Sequence, residues 1–325
     1  MSTLPGVRRE LDRNTAAGCA FVCIVGLGAV ASFAASMRAG PARLDIAALF
    51  AAFVVLGELM PVRLPGSRPA APIAMAAALG YAMLFDVGGR PVDQSVEQVA
   101  WVVAAGCVVG SAVQGVAGRR PRLTFVARRI VAAVIAAAAF RLAAPRSLTT
   151  LHFSLYKQEL RWVALLMVAI VALAGVLDVV LAAALGSIGQ RAAFGWTVRD
   201  EVSAGAGLWA ALGATGVLTA LATPSMNLYA LPVFCVPLLL TQFAFRRYAA
   251  IRTTYRETIR SLSRVTEVGG YVEAGHAHRV SVLAVEVGRE LGLTESEIVE
   301  LEYAALLHDI GQLSLTDPIP GGSTL

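Results

Sequence analysis

Lys157 is the single lysine in a chain of 325 residues, and Asp, Glu, Lys and Arg together make up only 15% of it. Beside 57% hydrophobic residues and a mean hydropathy of +0.68, so little charge excludes an ordinary water-soluble globular protein. Cysteine is scarce as well. Cys19, Cys23, Cys107 and Cys235 all lie in apolar segments with no C-x-x-C pair, which argues against a disulfide scaffold or a thiolate zinc site and leaves small packing residues. No basic patch is present either: the formal charge of +5 is spread over short loops, so a nucleic-acid polymer is not an expected partner.

What the chain has in abundance is apolar sequence. Stretches at about 16–37, 44–60, 70–85, 96–117, 125–144, 162–185, 203–222 and 228–245 predict a helix bundle of about eight membrane spans. A cleaved signal peptide competes for the first stretch, but its apolar region exceeds the usual length of about 7–15 residues. With the N-terminus inside, the inner loops hold the larger share of arginines, including Arg119, Arg120, Arg122, Arg128 and Arg129. The expectation is a multi-pass cell-membrane protein with both termini cytoplasmic.

Within the bundle, Gly106 and Gly110 form a small-xxx-small pair suited to close helix packing. Asp178 stands well inside the sixth span, where an ionised carboxylate is costly and turns to the bundle interior. It serves an ion-linked or sensory role, or it is simply protonated or hydrogen-bonded to a neighbour. Glu58 lies near the end of its span and requires no role of its own.

Residues 246–268 continue as a helical linker. Tyr248, Ile251, Tyr255, Leu262 and Val265 fall on heptad a and d positions, with Thr258 between them, while Arg252, Arg256, Arg260 and Arg264 occupy other faces. The stripe suits a two-stranded coiled coil and hence a homodimer; the arginines equally suit anionic membrane lipid. Gly269 and Gly270 then break the helix.

The last segment, 269–325, carries the chemistry. G-H-A-H-R-V from Gly275 to Val280 opens a helix on which His276, Val280, Leu283, Val287 and Leu291 share one face, with His278 pointing elsewhere. Thr294 and Glu297 predict a capping box for the next helix, whose inner face runs Ile298, Leu301, Ala305 and His308; Gly311 is expected to end it in a left-handed conformation. Two antiparallel helices would bring His276 and His308 toward one seam, with Asp309 one position around from it. Two neutral imidazoles and a carboxylate suit zinc, iron or manganese.

This pattern, G-H-x-x-R-V followed by H-D-I-G, resembles the HD superfamily of metal-dependent phosphohydrolases, and most of all its HD-GYP branch, which hydrolyses cyclic dinucleotides. The resemblance covers about the last 60 residues. It implies that His276, His308 and Asp309 ligate metal, with Asp309 able to bridge two ions, and that a phosphorylated small molecule or cyclic dinucleotide is the substrate. Arg279 and Gln312 are the expected phosphate or substrate contacts, with a surface or salt-bridging role as the alternative for Arg279. The chain departs from the family pattern where Gln312 replaces Lys and Gly270 replaces Asp. The family's remaining ligands and its G-Y-P motif follow downstream of this segment, so the resemblance implies either a fragment or a domain that is not catalytic.

Together these readings predict an all-α chain: a membrane bundle at 1–245, the linker at 246–268 and the N-terminal part of an HD domain at 269–325. A membrane-anchored phosphohydrolase regulated by its bundle is the expected function. The alternatives are a non-catalytic sensor with a degenerate HD module and, on Asp178 alone, a transporter with an accessory tail.

Overall fold

The computed structural model describes residues 5–64, 68–119, 122–144, 156–187, 194–293 and 295–315. Among these the chain is almost entirely helical, and it divides into two compact units. The first is Met1–Leu64 with Pro69–Gln242, the second Pro65–Arg68 with Phe243–Leu325.

The first unit holds α1 (Pro5–Ala39), α2 (Leu44–Leu59), α3 (Pro72–Ala82), α4 (Val96–Val116), α5 (Leu123–Ala143), α6 (Tyr156–Ser187), α7 (Phe194–Met226) and the start of α8 (Ala230–Val268). Five helical stretches among the described residues are long and apolar enough to cross a membrane. They are Ala16–Ala39, Val96–Val116, Leu123–Ala143, Leu160–Gly186 and Gly205–Val268, the last running through α7 into α8, and they mark a membrane protein.

The expected third span is different. α3 has 11 residues, all buried, and at 1.5 Å per residue it extends roughly 16 Å, about half of the hydrocarbon core. A helix surrounded on every side must be apolar on every side, and P-I-A-M-A-A-A-L-G-Y-A is. Its small residues allow backbones to meet. A Cβ on Gly57 of α2 would land on the backbone of Ala74, and one on Gly216 of α7 would come within 3.0 Å of Leu79 Cβ and 3.2 Å of the Ala76 carbonyl oxygen.

The carbonyls in and just after the last turn of α3 are also provided for. Gln94, fully buried, donates through Nε2 to the carbonyls of Tyr81 (2.9 Å) and Leu84 (2.8 Å), while Arg141 Nε donates to the Gln94 carbonyl at 2.9 Å. Side chains thus replace the water that such groups need. Short strands interrupt the all-α expectation: β1 (Val62–Leu64) lies beside β2 (Arg68–Ala70), and β3 (Asp86–Val87) pairs antiparallel with β4 (Arg90–Pro91). The turn of the second hairpin, Gly88-Gly89, has φ of 63° and 79°, the left-handed pair that a tight two-residue hairpin requires.

In the second unit α8 ends at Val268, where Gly270 at φ 76° lets the Tyr271 N–H donate back to the Thr266 carbonyl at 3.0 Å. α9 (His276–Glu290) and α10 (Glu295–Leu307) follow, then a 3-10 turn, Ile310–Ser314. The expected heptad stripe on α8 is exposed at Ile251, Tyr255, Leu262 and Val265, while Ile259, Ser263 and Thr266 are buried. Arg256 and Arg260 reach one acid on α10, Glu302, with Arg260 Nη2 3.0 Å from Oε1 and Arg256 on Oε2. Two of the four arginines offered to lipid are therefore committed inside the protein.

The helix spacing at Gly57 yields a direct test. Gly57→Leu should cost at least about 1–3 kcal/mol of overpacking and abolish a monodisperse detergent-solubilised product, whereas Gly26→Leu, with open space around its Cβ position, should be neutral. Size-exclusion profiles and thermal unfolding of the two variants measure the contrast.

Candidate metal centre

α9 meets α10 through its smallest residues. Ala277, Ser281 and Gly288 form the buried face of α9, and a Cβ on Gly288 would lie 2.9 Å from Leu301 Cδ2. This corrects the expected packing. Leu283, Val287 and Leu291 are exposed, and α9 turns its small-residue side, Ala277, Ser281 and Gly288, inward instead. Gly311 likewise does not end α10 in a left-handed conformation; α10 ends at Leu307 and Gly311 belongs to the 3-10 turn. The Thr294 end of the expected capping box lies outside the described residues.

α9 and the end of α10 bring three side chains together. His276 Nε2 lies 3.3 Å from His308 Nε2 and 3.4 Å from Asp309 Oδ2, and His308 Nε2 lies 2.8 Å from the same Oδ2. His308 Nδ1 is 2.8 Å from the Ala305 carbonyl, which can only accept, so Nδ1 carries a proton and Nε2 is directed at its two neighbours. Asp309 Oδ2 is buried, with His276 Nε2 and His308 Nε2 both within 3.4 Å of it. Two imidazole nitrogens and a carboxylate oxygen thus converge on one point, an arrangement that either a bound cation or a proton shared between imidazole and carboxylate makes favourable.

Ligands held at about 2.0–2.2 Å stand roughly 3.3–3.6 Å apart around a tetrahedral ion and roughly 2.8–3.1 Å apart around an octahedral one. The two separations from His276, 3.3 and 3.4 Å, are of the tetrahedral kind, whereas the 2.8 Å between His308 and Asp309 is that of an octahedral pair or of a direct hydrogen bond, so the cluster is close enough for one ion without matching one regular geometry. The imidazoles, 38% and 37% exposed against 13% for Asp309, leave the cluster accessible to solvent, as a site that exchanges ligands must be.

The other residues singled out by sequence fall into place around this cluster. His278 is exposed and outside it. Arg279 donates to Glu273 Oε2 at 2.7 Å and to the Ala274 carbonyl at 3.0 Å, bracing the loop before α9 rather than reaching the triangle. Gln312 is buried, and its Nε2 donates to Asp309 Oδ1 at 2.8 Å, so its amide addresses a ligand rather than a phosphate.

Asp178 in the first unit is 8% exposed and accepts a two-pronged bond from Arg128, with Nε to Oδ1 at 2.9 Å and Nη2 to Oδ2 at 2.6 Å. The hydrogen-bonded neighbour expected for it is Arg128. Glu58 departs further from expectation. It is buried and paired with the next arginine, Arg129, and a Cβ at Gly110 would strike its Cβ and Cγ, so the glycine of the small-residue pair makes room for a carboxylate. The consecutive arginines at 128 and 129 were the signal for both pairings, but a one-dimensional loop-charge count reads them only as topology.

Two outcomes are expected. Asp178→Asn, which strands the Arg128 guanidinium, should destabilise the first unit by about 3–5 kcal/mol, read as a lowered melting temperature in detergent. His308→Ala should weaken binding of Zn2+ or Mn2+ by at least tenfold in equilibrium dialysis of the full chain, with Asp309→Asn close behind and His278→Ala unchanged. No family model matches this chain, and neither curated proteins nor solved structures give a match, so the case for metal rests on the three side chains themselves.

Proposed function

We propose that the protein is a membrane-anchored, metal-dependent phosphohydrolase of the HD type, with its C-terminal unit cytoplasmic and its membrane helices regulatory. The observation that carries this reading is the triangle of His276 Nε2, His308 Nε2 and Asp309 Oδ2, with every separation at or below 3.4 Å. His276 and His308 would hold a zinc, iron or manganese ion through neutral imidazoles, and Asp309 would supply the anionic ligand. Such an ion, when bound, polarises phosphoryl oxygens and lowers the pKa of a coordinated water. The chain's own contribution is to fix the donors: the Ala305 carbonyl sets the His308 tautomer, and the Gln312 amide holds Asp309. A phosphate ester, with a cyclic dinucleotide as the leading candidate, is the substrate class the sequence pattern supports.

One observation favours a second reading, a sensor that binds without turnover. Neither Arg279 nor Gln312 offers its side chain to a phosphate, since both are engaged by protein groups.

The two readings separate in one assay. With the full chain in nanodiscs, the hydrolase reading expects Mn2+-dependent cleavage of bis(p-nitrophenyl) phosphate that a chelator stops and that His276→Ala lowers at least a hundredfold. Stoichiometric metal binding without turnover of that diester or of a cyclic dinucleotide supports the sensor instead.

A further inference from the structure

Gln312 is three residues beyond Asp309 in a 3-10 turn, closed by the Gln312 N–H donating to the Asp309 carbonyl at 3.0 Å. Side chains at i and i+3 eclipse in that geometry, so the turn itself stacks the amide of Gln312 over the carboxylate of Asp309. The contact that results is asymmetric. Nε2 binds Oδ1 at 2.8 Å and leaves Oδ2 alone to face the two imidazoles. A carboxylate without this restraint can turn about its last torsion and exchange its oxygens.

The other half of the amide is unusual too. Gln312 is 8% exposed, and its Oε1 is buried with no donor among the described residues. A buried amide oxygen left without a hydrogen bond is costly, so a donor is expected at this place when the site is in use.

We propose that Gln312 is the positioning residue of the metal centre: its amide N–H selects which Asp309 oxygen serves as ligand, and its amide oxygen receives an O–H donor, a water or a protonated ligand oxygen. This rests on the reading of His276, His308 and Asp309 as a metal site and deepens it, because it gives the departure from the family's lysine a purpose. A lysine could donate to Asp309 but has no acceptor. A glutamine does both, and it leaves the cluster without an added positive charge beside a cation.

The test compares Gln312→Met, which keeps the length of the side chain and removes both polar atoms, with the parent chain in detergent, using Co2+ as the probe. Helix content and melting temperature report folding. Co2+ affinity from competition titration, and the visible ligand-field spectrum, report the centre. Positioning predicts a folded variant with Co2+ affinity weakened about 10–100-fold and a shifted spectrum. A folded Gln312→Met with parental affinity and spectrum, alongside His308→Ala that loses binding, overturns the role of Gln312 and leaves the metal reading standing. A parent chain that binds no Co2+ sinks both.

Discussion

Everything proposed for the second unit depends on the packing of α9 against α10. Ala277, Ser281 and Gly288 are the buried residues of α9, and Leu301 and Ile298 of α10 lie over Gly288. In the same pair of helices Nε2 of His276 comes within 3.3 Å of Nε2 of His308. The consequences extend along α10. His308 takes its tautomer from Ala305 one turn earlier, Asp309 leaves the helix end, and the following 3-10 turn brings Gln312 back onto Asp309. The three polar groups and the amide that restrains one of them are thus held in place by the surrounding helices and turn.

The first unit follows the same logic with a different constraint. In surroundings that offer little water, each polar atom requires a protein substitute. Gln94 and Arg141 serve the carbonyls in and after the last turn of α3, Arg128 serves Asp178, and Arg129 serves Glu58, with Gln114 Nε2 donating to the Glu58 carbonyl. These groups sit where small residues open space, at Gly110 above all. Buried ion pairs contribute little net stability, but they penalise any arrangement that separates them, and so they fix helix register.

The sequence conveyed the helical class, the apolar stretches and the His-His-Asp cluster because each leaves a periodic or local trace. Hydropathy marks a helix, heptad spacing marked the α8 stripe, and H-D-I-G places two ligands side by side. It conveyed less about rotation and length. Leu283, Val287 and Leu291 have proper helical spacing for burial, but periodicity identifies a face without saying which neighbour covers it, and α9 turns its small-residue face inward instead. α3 was read as a span because composition does not distinguish a helix buried in lipid from one buried in protein. The pairings of Glu58, Asp178, Glu302 and Gln312 came only with three dimensions, since each joins residues whose relation depends on packing or on turn geometry.

The central claim is that two imidazoles and one carboxylate of this chain hold a single cation. X-ray absorption at the zinc edge of the zinc-loaded full chain addresses it most directly. The account predicts two imidazole scatterers at about 2.0–2.1 Å together with oxygen ligands at about 2.0–2.2 Å, and loss of one imidazole contribution in His276→Ala. A shell of oxygen alone, unchanged by that substitution, would contradict it.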